Sequence, residues 1–300
     1  MIATLLALVL QSTSQIDALV PKGTHPKVTA EGFRFTEGPV WSPEGNLIFS
    51  DILADTIYKL EIDKPVVLVK PSHRTIGITY DAHKRRIVCQ QETRSVVRTE
   101  LDGSFTTLAD KFDGKRLNAP DDVVARSDGN IYFTDPSFAL RPEAKEQTFD
   151  GVYRISPSGT VTLVSKTFAK PNGLAFSPDE KTLYVNDTVR QQIYAFDVAA
   201  DGTPSNERLF AFVTGELAGQ PNGMKVDRSG NVYCTGPGGI QIFKPSGKYI
   251  GLIYLAPVVS NFCFGNNDFK TLYIAAGSTL YEMAVKVAGM PPATNFSQLK

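Results

Sequence analysis

The chain writes one pattern six times. A head residue opens an apolar run, a polar turn follows, and a second apolar run closes the copy. The copies are EGPVWSPEGNLIFSD from Glu37, IGITYDAHKRRIVCQ from Ile76, DDVVARSDGNIYFTD from Asp121, NGLAFSPDEKTLYVND from Asn172, NGMKVDRSGNVYCTG from Asn222 and NFCFGNNDFKTLYIAAG from Asn261. Successive heads lie 39, 45, 51, 50 and 39 residues apart. Two further runs follow in each full unit, as QQIYAFDV and ERLFAFV do in the fourth. The runs are rich in Val, Ile, Tyr and Phe, and no stretch keeps a 3.6-residue period with caps. Turns such as SPEGN and RSDGN supply Asp, Gly and Asn for positive φ and local side-chain bonds. Four short strands recurring every 45 residues or so predict a propeller blade, and six copies predict an all-β, six-bladed β-propeller.

The last copy has only three runs, NFCF, TLYIAA and TLYEMAV. The segment HPKVTAEGF (25–33) is a spare run ahead of the first head. It is expected to complete the last blade, closing the ring and hiding an edge strand. The predicted organisation is an N-terminal tail over 1–19, one propeller over 20–290 and a C-terminal tail over 291–300. The tail begins MIATLLALVL, an apolar stretch of signal-peptide length followed by Ser12-Thr13-Ser14. It predicts export to the periplasm or beyond, the alternative being a loose apolar tail on a cytoplasmic protein. No other segment could cross a membrane.

Charge is balanced, with 31 Lys and Arg against 31 Asp and Glu. That gives no basic face for nucleic acid or an anionic membrane, and leaves a small molecule as the expected partner. The three cysteines, Cys89, Cys234 and Cys263, sit in or at the end of strand patterns and read as buried small hydrophobes.

In a propeller the first strand of every blade lines the central channel, so the six heads form one column at the axis. It reads Glu37, Ile76, Asp121, Asn172, Asn222, Asn261. Five of these six carry side-chain oxygen. Turn chemistry alone accounts for Asn or Asp at some strand entries. It does not account for a Glu at the equivalent place, nor for so many oxygens meeting at one channel mouth. The column reads as a hard-cation site without His or Cys, with calcium first and magnesium second. Asp51, Asp135 and Asp187, at second-strand ends, open the competing reading of caps on loop amides. The insertion PSFALRPEAKEQTFD (136–150) should overhang the site.

Beyond the residues themselves, EGPVW, GKRLNAPDDVV, IYFTDPSF, PNGLAFSPDEKTLYVNDT and PNGMKVDRSGNVYCTGPGG together resemble a known family. It is the family of senescence marker protein (regucalcin), gluconolactonase and luciferin-regenerating enzyme, and the resemblance is to its bacterial gluconolactonase-like branch. It implies a six-bladed propeller with one catalytic divalent cation, usually calcium, with magnesium, manganese or zinc as alternatives. It also implies hydrolysis of sugar-type lactones. By position it implies Glu37, Asp121, Asn172 and Asn222 as metal ligands. Two of these depart from the family pattern: Asp121 stands where Asn is usual, and Asn222 where Asp is usual. The exchanges are opposite, so the ligand charge stays at −2 and metal binding is expected to persist.

The resemblance implies the fifth-head Asp as base or nucleophile. With Asn222 in its place, Asp121 becomes the expected catalytic base. A cation would polarise the carbonyl and activated water would attack it. Arg116 and Asn118 are expected to bind substrate hydroxyls or carboxylate, with loop hydrogen bonds as the alternative. At the second blade the family's Asn and His are replaced by Ile76 and Gln91. These departures keep two other readings open, a calcium-bearing binding module without catalysis and a phosphotriesterase-like hydrolase.

Overall fold

Each blade is a four-stranded antiparallel sheet, and in blades 1 to 5 the strands run in chain order from the axis outward. The computed structural model describes residues 15–293 apart from 63 and 257. Blade 1 pairs Thr36–Trp41, Leu47–Asp51, Thr56–Glu61 and Lys64–Val69. The inner strands of blades 2 to 6 are Thr75–Tyr80, Val123–Ala125, Pro171–Phe176, Met224–Val226 and Asn261–Gly265. Inner and second strands are packed on both faces by neighbouring blades, so they read as almost continuous apolar runs. Thr75–Tyr80 is buried throughout, while the outer Lys64–Val69 is largely exposed.

The turn between first and second strands is the same device in all six blades. An amide donates back three residues, as Gly45 to Ser42, Lys84 to Asp81, Gly129 to Arg126 and Glu180 to Ser177. Its donor residue has φ of +82° at Gly45, +63° at Lys84, +91° at Gly129 and +55° at Glu180. Glycine takes this conformation without penalty, and Lys84 and Glu180 adopt it against their intrinsic preference.

The ring closes as the spare run predicts. Lys27–Glu31 pairs antiparallel with Thr279–Ala284 as the outer strand of blade 6. Across the seam Trp41 stacks on Tyr273, with centroids 5.6 Å apart and planes 7° from parallel. Phe33 packs edge-on against Phe49 at 4.9 Å. Packing starts ahead of residue 20: Ile16, Leu19 and Val20 join the core of blade 6. At the other terminus the Met290 amide donates to the Val226 carbonyl at 2.9 Å, and Ala293 is buried at the lower channel mouth. The apolar stretch Ile2–Leu10 and residues 294–300 lie outside the described residues. Cys89, Cys234 and Cys263 are buried free thiols, and burial pushes Cys234 and Cys263 up to about 12.

Candidate active site at the propeller axis

In blades 1 to 5 the strand ladder is interrupted at or beside the head, where it reaches the axis. Strand register shifts between Glu37 and Val40, between Thr75 and Ile78, and between Pro171 and Leu174. In blades 3 and 5 the paired strand begins only after the head, at Val123 and Met224. A bulge of this kind re-aims a side chain, and here the break frees the heads of blades 1 to 5 to face the channel, while Asn261 of blade 6 stays paired with Ala275. The next residue is usually glycine because the neighbouring blade's backbone passes too close for a side chain. A Cβ at Gly38 would meet the Ile76 carbonyl oxygen at 1.9 Å, and one at Gly173 the Asn222 carbonyl oxygen at 2.0 Å.

Glu37, Asp121, Asn172 and Asn222 meet at the floor of one cavity of about 980 Å³. Glu37 is held on both oxygens: Oε2 accepts from the Gly38 amide at 2.9 Å and Oε1 from Asn222 Nδ2 at 3.0 Å. The Asn172 amide has a determined orientation. Thr188 gives its hydroxyl hydrogen to the Pro221 carbonyl at 2.7 Å, so its oxygen must accept from Asn172 Nδ2 at 3.2 Å. Asn172 Oδ1 and Asn222 Oδ1 are thereby left buried with no protein partner. No hydrogen bond reaches the Asp121 carboxylate among the described residues.

This cluster is electrostatically unbalanced. Burial raises Glu37 to about 7, partly offset by the Gly38 amide. Burial also raises Asp121 well above the carboxylate range, and the charges of Glu37, Asp122 and Asp135 add to it. Two carboxylates and two orphan amide oxygens form a donor set that fits a hard divalent ion. Among the described residues no three His, Cys, Asp or Glu side chains are grouped to hold an ion. Any ion here must draw on amide oxygen, which is what the column provides.

The other residues singled out in the sequence fall elsewhere. Asn118 is fully buried and turned into the loop, its Nδ2 donating to the carbonyls of Asp135 at 3.0 Å and Phe149 at 2.9 Å. Arg116 is exposed, with Nη2 on the Thr93 carbonyl at 3.0 Å. Neither lines the cavity. Both brace the approach to blade 3, because a loop feeding a buried strand must satisfy its carbonyls locally. The second-strand aspartates are caps: Asp187 accepts from the amides of Ala169, Lys170, Val189 and Arg190. Asp51 does the same for Arg34, Phe35 and Ala54.

The insertion contributes Phe138 and Ala139 to the cavity wall. It is tied down by Asp150, which pairs with Lys145 and, at 2.7 Å, with Lys170. Arg74 and Gln91 also line the wall; Gln91 was marked in the sequence as a departure at the second blade, whereas Arg74 was not evident there because it is not a head. Arg74 is the one cationic side chain on that wall among the described residues. Thr188 was legible only as the residue after a second-strand Asp.

Fold and site together define a six-bladed propeller with an oxygen-rich axial pocket. Residues 35–278 match the family described as the SMP-30/Gluconolactonase/LRE-like region, and the chain belongs to that family. It is similar to a gluconolactonase of Zymomonas mobilis, 33% identical over 92% of this chain and 85% of the relative. It is also similar to a lactonase of Staphylococcus saprophyticus, 28% identical over 76% of this chain and 72% of that one. The solved structure of a gluconolactonase from Xanthomonas campestris superposes with a TM-score of 0.82 at 31% identity, covering 90% of this chain and 92% of that chain.

Proposed function

We propose that the protein is a divalent-cation-dependent hydrolase of a sugar-type lactone, with calcium as the ion. The observation that carries this reading is the axial donor set, on a chain 33% identical to a gluconolactonase. Glu37, Asp121, Asn172 and Asn222 would hold the ion, and all-oxygen donors favour calcium over softer metals. A divalent cation held there would polarise the lactone carbonyl, offset charge building on its oxygen and keep Asp121 ionised.

The chain's own groups do the proton work. Both Glu37 oxygens are already engaged, whereas the Asp121 carboxylate carries no donor and lies on the cavity floor. Asp121 takes a proton from water as the water oxygen attacks the carbonyl carbon. The ring C–O bond then breaks, and the same proton passes to the departing alkoxide. Thr188 keeps Asn172 Oδ1 aimed at the floor throughout.

A pH-stat screen of aldonolactones with calcium, magnesium, manganese or zinc tests the reading. Chelation is expected to abolish hydrolysis, and Asp121→Asn to lower kcat by about 10²- to 10⁴-fold. Full activity in Asp121→Asn would overturn the assigned base. Cation binding without hydrolysis of any lactone would favour a binding module.

A further inference from the structure

The axial cavity has two layers of opposite chemistry. Its floor is polar and carries the two carboxylates. Its mouth is an apolar collar of Phe35, Leu53, Phe138, Leu217 and Val258. Each of these five is between 37% and 54% exposed, so none serves a blade core. They arrive from five different loops. Phe35 precedes the inner strand of blade 1 and Leu53 follows its second strand; Phe138 lies in the blade 3 insertion. Leu217 and Val258 lie in the connections into blades 5 and 6.

A single exposed apolar side chain needs no explanation, but convergence of five on one polar pocket marks a ligand surface. The collar is also braced. Lys170, fixed by Asp150 at 2.7 Å, stands 5.5 Å from the centre of the Phe138 ring. The cavity, at about 980 Å³, lies near the top of the range for drug-sized ligands, roughly 300–1,000 Å³. One lactone ring occupies a small part of it.

Because Asp121 lies on the floor, a reacting carbonyl must sit there. Whatever the ring carries on its far side then points outward through the collar. We infer that the substrate is a lactone whose ring bears an apolar substituent, alkyl or aryl, seated between Phe138 and Leu217. This inference rests on the lactonase reading and replaces its sugar-type substrate with one that carries an apolar arm.

Two series test it. One is kcat/KM for γ-butyrolactone through γ-octalactone, beside glucono-1,5-lactone. The other is the calorimetric Kd of the corresponding ring-opened 4-hydroxyalkanoates, which requires no turnover. Each added methylene is expected to raise kcat/KM, and to tighten Kd, by about three- to fourfold, the effect of removing one methylene from water. The exposed-site double variant Phe138→Ser/Leu217→Ser is expected to reduce both slopes to less than about twofold per methylene. A flat series in the wild-type protein, including no measurable binding, overturns the collar, as does a slope unchanged in the variant. If no lactone is hydrolysed, glucono-1,5-lactone included, the lactonase reading fails, and the Kd series still decides the collar.

Discussion

Asn172 and Asn222 occupy the same position of their repeats, yet their amides are used differently. Asn172 spends its Nδ2 on Thr188, while Asn222 spends its own on Glu37. The second contact is available because Asn222 is an amide where relatives are expected to carry a carboxylate. It places a donor on Glu37 that an Asp could not supply. Glu37 still sits at about 7 in the metal-free protein, above its ordinary 4.5. The consequence for stability has a definite sign. Between pH 4.5 and about 7 the folded chain holds a proton that the unfolded chain has lost, so metal-free stability falls as pH rises through that window. The fall attributable to Glu37 is about 3 kcal/mol. Thermal unfolding under chelator at pH 5 and pH 7.5 should show it together with falls of the same sign from Asp121 and Asp135, and Glu37→Gln should make the slope shallower. A slope unchanged in Glu37→Gln would assign the effect to other groups.

At the scale of the element, the bulge and its glycine decide whether a head reaches the axis. Gly173 has no positive φ to require glycine; what excludes a side chain there is the Asn222 carbonyl. Gly173→Ala must push blade 5's head away from blade 4's. It is expected to destabilise by about 1–3 kcal/mol, the cost of overpacking a filled interior. It should also weaken cation binding, because Asn222 is the residue displaced. Denaturant titration and calcium calorimetry on one variant check both parts, and normal binding in a destabilised protein would refute the second. Repeats, turns and strand order were all readable at this scale, because φ-permissive residues and strand runs are local signals. The bulges were not, since they arise from contact between blades and leave no mark in a single repeat beyond the glycine.

For the whole molecule, closure is the central energetic feature. The ring is sealed by a strand 248 or more residues away in sequence from its partner, with Lys27 opposite Glu282 and Glu31 opposite Thr279. Leu19 and Val20, ahead of the closing strand, add buried side chains to the core of blade 6. Removing residues 1–31 exposes the edge of Thr279–Ala284 and deletes those two buried side chains, uncovering the apolar surface they pack against. Two such side chains are worth about 3–6 kcal/mol, so Tm should fall by about 6 °C or more. The truncated chain should also associate through the bare edge. Scanning calorimetry and light scattering test this, and a monomer of unchanged Tm would show that the closure is dispensable.

Periodicity alone determined the six blades, their strand order, the closing strand and the column of heads, because each is a local pattern repeated in register. Only the tertiary structure decided how that column is used. It turned Asn118 into the loop and Arg116 onto the rim, set Thr188 behind Asn172, and gathered an apolar collar from five loops. Those outcomes depend on which carbonyls and side chains from distant blades end up within hydrogen-bonding or packing distance. No spacing within one repeat encodes that.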